Sequence, residues 1–121
     1  MNIKHKMKLY KEPFREIQSG KKTIEIRLYD EKRRKVKQGD TIEFAKLPEE
    51  DEKINVKVKK LYTYPTFREM FEDLSAEKLG IVDNCIETNV KSIHNLYSSE
   101  HEKEWGSLAI EIELLNVKNG G

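Results

Sequence analysis

Four stretches of this chain alternate apolar with polar residues, and one of them changes phase part-way. Successive side chains of an extended strand point to opposite sides, so such alternation predicts strands with one covered and one solvated face. Residues 23–28 carry Ile24, Ile26 and Leu28 on one side and Thr23, Glu25 and Arg27 on the other. Residues 41–45 carry Ile42 and Phe44, and residues 107–115 set Leu108, Ile110, Ile112 and Leu114 against Ala109, Glu111 and Glu113. In residues 53–63 the apolar positions run Ile54, Val56, Val58 and then resume at Leu61, so the phase slips by one at Lys59-Lys60. A β-bulge absorbs such an extra residue and is common where a small sheet curls. Together these segments predict one curved sheet or barrel.

Between the strands the apolar spacing becomes helical. Pro13 suits the first turn of a helix, Phe14 and Ile17 form a one-sided apolar pair and Gly20 suits the stop, which predicts a helix over residues 12–19. After Pro65, Thr66 and Glu69 have capping-box spacing, and Phe67, Met70, Phe71 and Leu74 form a stripe. A shorter helical turn is expected to end at Gly80, and Ile86, Val90, Ile93 and Tyr97 predict a helix over residues 86–96. Met7 and Leu9 fit a short first strand, and Gly39-Asp40 turns the chain into the strand at 41–45. This order suits an α+β fold, a small mixed β-barrel with helices packed at its ends.

Composition bounds the rest. A chain of 121 residues predicts a single domain over residues 1–116 and a flexible tail at 117–121. Formal net charge is +1, so any attraction for phosphate has to come from how charges are arranged. Cys85 stands alone, which excludes an intramolecular disulfide, and His5, His94 and His101 fall into no zinc-site spacing. Neither a metal nor another cofactor is expected. No apolar run approaches the ~18 residues of a spanning helix, so no membrane partner is expected and a cytoplasmic protein is the simplest reading. Catalytic Ser/His/Asp order, a phosphate-binding glycine loop and a dinucleotide fingerprint are absent from the sequence.

The string Gly20-Lys21-Lys22-Thr23-Ile24-Glu25-Ile26-Arg27, then Lys32-Arg33, then residues 36–44 with the Gly39-Asp40 turn, resembles the signature of the ASCH domain family. Tyr62, Tyr64-Pro65 and Phe67, and later Trp105-Gly106 with Leu108-Ala109-Ile110, extend the resemblance over nearly the whole chain. It implies a PUA-like barrel with a cleft between barrel and helices that holds RNA or a modified nucleoside. Small bacterial relatives in that family hydrolyse N4-acetylcytidine with a lysine and a threonine from this turn and strand and a downstream glutamate. Lys22 matches the lysine; Glu25 stands where the threonine would be, and Glu69, Glu72, Glu77 and Glu87 are alternatives for the glutamate.

Candidate site residues follow from that resemblance and from side-chain chemistry. Glu25 and Arg27 share the strand face opposite the apolar one, about 7 Å apart along the chain. An arginine fork there grips a phosphate or carbonyl, and a carboxylate accepts from an exocyclic amine or takes a proton. Pattern alone also fits a salt bridge on a solvated sheet face. Lys22, with Lys21 as its exposed competitor, is the candidate functional lysine; both also fit ordinary turn lysines. Lys32, Arg33, Arg34, Lys35 and Lys37 form a basic run suited to a phosphate-binding edge or to a solvated loop. Tyr64, Tyr97 and Trp105 are stacking candidates, although Tyr97 also lies on an apolar helical stripe.

Two classes of function follow. The first is a binding module for RNA or a nucleotide-like ligand, held by Lys22, Glu25, Arg27 and the basic run, with Lys21, Tyr97 and Trp105 at its margins. The second is a small hydrolase acting on a modified nucleoside or on RNA, with Lys22 as base or activator and Glu25 as its partner.

Overall fold

Every alternating segment forms a strand in the computed structural model, which describes residues 2–115. The elements run β1 (Lys4–Leu9), α1 (Lys11–Gln18), β2 (Ile24–Leu28), a 3₁₀ turn (Arg33–Lys35), β3 (Thr41–Lys46), β4 (Lys53–Tyr64), α2 (Phe67–Asp73), α3 (Ile86–Ile93), α4 (Ser99–Trp105) and β5 (Ser107–Leu114). The expected tail at 117–121 lies outside the described residues. All five strands join one curled sheet in the order β1-β3-β4-β5-β2, with β1 parallel to β3 and the other pairs antiparallel. The architecture is the expected mixed α+β fold, as a half-barrel whose two free edges are β1 and β2.

The phase slip in β4 is a bulge. Val58 lies opposite Ile112 and Lys60 opposite Glu111, so Lys59 has no partner across the ladder. Before the bulge Ile54, Val56 and Val58 face the concave core; after it Leu61 continues inward and Tyr62 and Tyr64 turn outward toward α2. One strand thereby serves two packing layers.

Those layers explain a departure from the half-buried reading of β2. The concave core holds Met7, Leu9, Ile42, Phe44, Leu108 and Ile110, closed by Phe14 and Ile17 of α1 and by Val36. On the convex side α2 and α3 pack Phe67, Met70, Phe71 and Ile93 against Ile24, Leu28 and Ala109. The apolar face of β2 therefore meets the helices, whereas Glu25 and Arg27, registered with Ile110 and Leu108, lie on the concave side. Both faces are covered, and Glu25 is only 3% exposed. Alternation separates two faces without saying which one a second layer will cover.

Gly39-Asp40 has a structural role. Gly39 adopts φ +93°, and the buried Asp40 carboxylate accepts from the Ile3 and Lys37 amides at 3.0 and 2.9 Å and lies 2.8 Å from His5 Nε2. Burial would raise this carboxyl, but the hydrogen bonds from His5 and the two amides outweigh it and hold it below the usual range.

The helical region departs from expectation at two places. Residues 76–80 form turns closed by the Ile81 amide on the Ala76 carbonyl, with Gly80 at φ +74°. Helix α3 ends at Ile93, short of residue 96, where the Asn95 and Leu96 amides return to the carbonyls three residues back, Ser92 and Ile93, and tighten the chain into a turn. That turn delivers Ser98 as N-cap of α4, where its hydroxyl accepts from the His101 amide. The capping box of α2 forms in part, Thr66 Oγ1 accepting from the Glu69 amide.

Candidate functional site

The turn before β2 is pinned from two sides. The Lys22 amide donates to the Glu16 carbonyl of α1, and the Thr23 and Ile24 amides both donate to the Lys78 carbonyl, each at 3.0 Å. Held this way, Lys22 is 9% exposed, which is rare for a lysine without a partner. Its ammonium lies 3.0 Å from Glu25 Oε1, and Arg27 Nε donates to Glu25 Oε2 at 2.7 Å. The Glu25 carboxylate is thus bracketed by two cations. Burial alone would raise its pKa, but the attraction of Lys22 and Arg27 and their hydrogen bonds together lower it.

Arg27 also spans the open side of the half-barrel. Its Nη2 donates to the Lys8 carbonyl at 2.8 Å, linking edge strand β2 to edge strand β1, and its guanidinium lies over Phe44 at 5.9 Å. Tyr97 stacks on Phe67, with centroids 5.7 Å apart and planes 14° from parallel. Burial raises the Tyr97 hydroxyl, and the fields of Arg27 and Glu25 reach it with opposite signs.

Two cavities flank this chain of charges. A groove of about 840 Å³ runs between α1 and α3, with Lys22, Ile26, Leu79 and Ile93 among its lining residues. Gly80 lines it too, and a Cβ there would come within 2.9 Å of Lys22 Cδ, so the glycine supplies both the positive φ and the space for the lysine. A second cavity of about 430 Å³ lies beside β1 and takes Arg27 rather than Lys22. Lys22 and Arg27 therefore share a carboxylate while opening into different spaces.

The remaining candidates divide. Lys32 is exposed and Arg33 half-buried, and both line the cavity that Arg27 enters. Lys21 points into a separate hollow with Glu77 and Asn84. Trp105 and Tyr64 line another. The Arg34 guanidinium sits over Tyr29 and Trp105, at 4.3 and 5.5 Å, and donates to both their carbonyls, so this pair is a structural clamp. Tyr64 donates to Asp73 at 2.6 Å.

None of Glu69, Glu72, Glu77 and Glu87 lines the groove that holds Lys22; Glu12, Glu16 and Asp83 do. Glu16 gave no sequence signal beyond its place on the polar face of α1. A third buried carboxylate, Glu102, was also not foreseen: it accepts from the Phe67 amide at 2.6 Å and lies 3.0 Å from His94 Nε2, joining α4 to α2 and α3. Among the described residues no three His, Cys, Asp or Glu side chains converge as metal ligands, and no helix is long and apolar enough to cross a membrane.

A family model described as ASCH domain matches residues 7–116. The fold is similar to the crystal structure of hypothetical protein PH0355, 44% identical, with a TM-score of 0.83 over 93% of this chain and 99% of that one. It is also similar to the solution NMR structure of protein PF0455 from Pyrococcus furiosus, 40% identical, with a TM-score of 0.70 over 93% and 98% of the two chains. No curated protein matches.

Proposed function

Because the chain belongs to the ASCH domain family, we propose that it is a binding module for RNA or a nucleotide-like ligand, received in the groove between α1 and α3 at Lys22. The observation that carries this reading is the Lys22–Glu25–Arg27 chain. An ammonium has three N–H donors, and the contact with Glu25 uses one, which leaves donors for a ligand carbonyl or ring nitrogen. Ile26, Phe71, Leu79 and Ile93 supply apolar lining for a flat base, while Glu16 and Asp83 are acceptors for exocyclic amines. Polar and apolar residues line the groove about equally, which offers both a face for a base and partners for its edges.

The same pairing weighs against the hydrolytic reading. A general base needs a free lone pair, whereas Lys22 donates to a carboxylate that is itself held ionised by two cations. Purified protein is to be tested against RNA oligomers, nucleosides and acetylated nucleosides, scoring retention and turnover. Retention without turnover is expected, and Lys22→Met should weaken binding by roughly 1–3 kcal/mol, the usual worth of a charge-assisted hydrogen bond. Unchanged affinity in Lys22→Met would remove the groove as the site.

A further inference from the structure

We propose that the cavity beside β1 is a phosphate subsite, lined by Lys6, Lys8 and Lys53 of the sheet together with Arg27, Lys32 and Arg33. It rests on the preceding reading in taking the ligand to carry phosphate. Six cationic side chains line this cavity against two carboxylates, Glu43 and Glu50, in a chain whose net charge is only +1. Field lines concentrate in such a concavity, and a phosphate is the anion that several fixed cations bind best.

Donor accounting points the same way. A guanidinium has five N–H groups; Arg27 gives one to Glu25 and one to the Lys8 carbonyl, and the others remain for the cavity it lines. Arg33 is tied to Asp30 through Nη1 and its backbone amide, yet its Nε is buried without a hydrogen-bond partner. Lys6, Lys32 and Lys53 are exposed and form no ion pair among the described residues. Lys8 pairs with Glu50 at 3.2 Å, but both are well exposed, and such pairs yield readily to a stronger anion.

Edge-strand lysines also deter strand-to-strand aggregation, which accounts for Lys6 and Lys8 on β1. It does not account for Lys53 on an interior strand or for Lys32 and Arg33 converging from a separate turn. The linear run Lys32–Lys37 thus acts only through the two members that reach the cavity, completed by strand lysines distant in sequence.

The test is a Lys6→Ala, Lys32→Ala, Lys53→Ala triple variant, whose three sites are exposed and whose melting temperature should match the wild type. Binding is measured across a salt series for a short oligoribonucleotide, a nucleoside monophosphate and the uncharged nucleoside. The triple variant should bind the oligoribonucleotide at least tenfold more weakly, with a salt slope shallower by roughly 0.7 for each phosphate that is no longer neutralised. Affinity for the uncharged nucleoside should stay at the wild-type value. Weakening confined to the oligoribonucleotide assigns the subsite to an RNA backbone; weakening for the monophosphate as well assigns it to free phosphate monoesters too. Wild-type affinity and slope in the triple variant, with binding still sensitive to Lys22→Met, would overturn the subsite and leave the groove standing. Weakening in the triple variant with none in Lys22→Met would support the subsite and overturn the groove, and no binding of any ligand by the wild type would overturn both.

Discussion

Glu25 is 3% exposed and stands between Lys22 at 9% and Arg27 at 7%, so each charge depends on the others for its solvation. Removing one partner of a buried ion set costs far more than the set is worth, because the remaining charge is left uncompensated. Glu25→Gln should therefore lower stability by about 3–5 kcal/mol in urea denaturation. Replacing the three together by apolar residues of similar size should cost far less than Glu25→Gln, the remaining cost coming from the Lys8 carbonyl that loses its Arg27 donor. The pH dependence has a definite sign. The Glu25 carboxyl is held below its ordinary value of about 4.3, so the folded protein binds fewer protons than the unfolded chain in that window. Its contribution is present above that value and is lost as pH falls through the lower, folded one. Acid titration of stability should show a shallower slope in Glu25→Gln, with the remainder due in part to Asp40, which is shifted in the same direction.

At the scale of elements, the bulge in β4 matters through its residue count and not through its side chain. Lys59 is exposed and opposite nothing, so Lys59→Ala should change stability by less than about 0.5 kcal/mol. Deleting Lys59 removes the extra residue, so Val58 and Leu61 stay inward and Tyr62 and Tyr64 outward on a strict period of two, and only the local bend and twist of the bulge are lost. Both variants should keep the native near-ultraviolet circular dichroism signal; its loss in the deletion alone would show that the curl of the sheet depends on the bulge. Helix α2 offers a smaller check: Thr66→Ala removes the acceptor for the Glu69 amide and should cost about 1 kcal/mol. These features were legible in advance because period, phase and cap spacing are local. Helix α4 was not, although Ser98 and the following acidic residues carried the signal, because the apolar stripe through Tyr97 suggested one longer helix.

For the whole molecule, Arg27 is the side chain joining the two free edges of the half-barrel, through the Lys8 carbonyl on one side and its own strand on the other. A lysine has one donor centre and cannot hold Glu25 and the Lys8 carbonyl in the same fork. Arg27→Lys should therefore raise amide hydrogen exchange along β1 more than along the central strands β4 and β5; uniform exchange would show that the seam does not depend on this residue. By itself the sequence determined the strands, the bulge, the first two helices and the pairing of Glu25 with Arg27 on one face of β2, since alternation, capping and spacing are set by covalent geometry within a few residues. Only the tertiary structure decided that this face is buried, that Lys22 and Arg27 open into different cavities, and that Trp105 is clamped by Arg34. It also placed Lys6 and Lys53 beside Lys32 and Arg33. Which of two faces is covered, and which distant charges converge, depends on where α1, α2 and α3 dock on the curled sheet, and no local period encodes that.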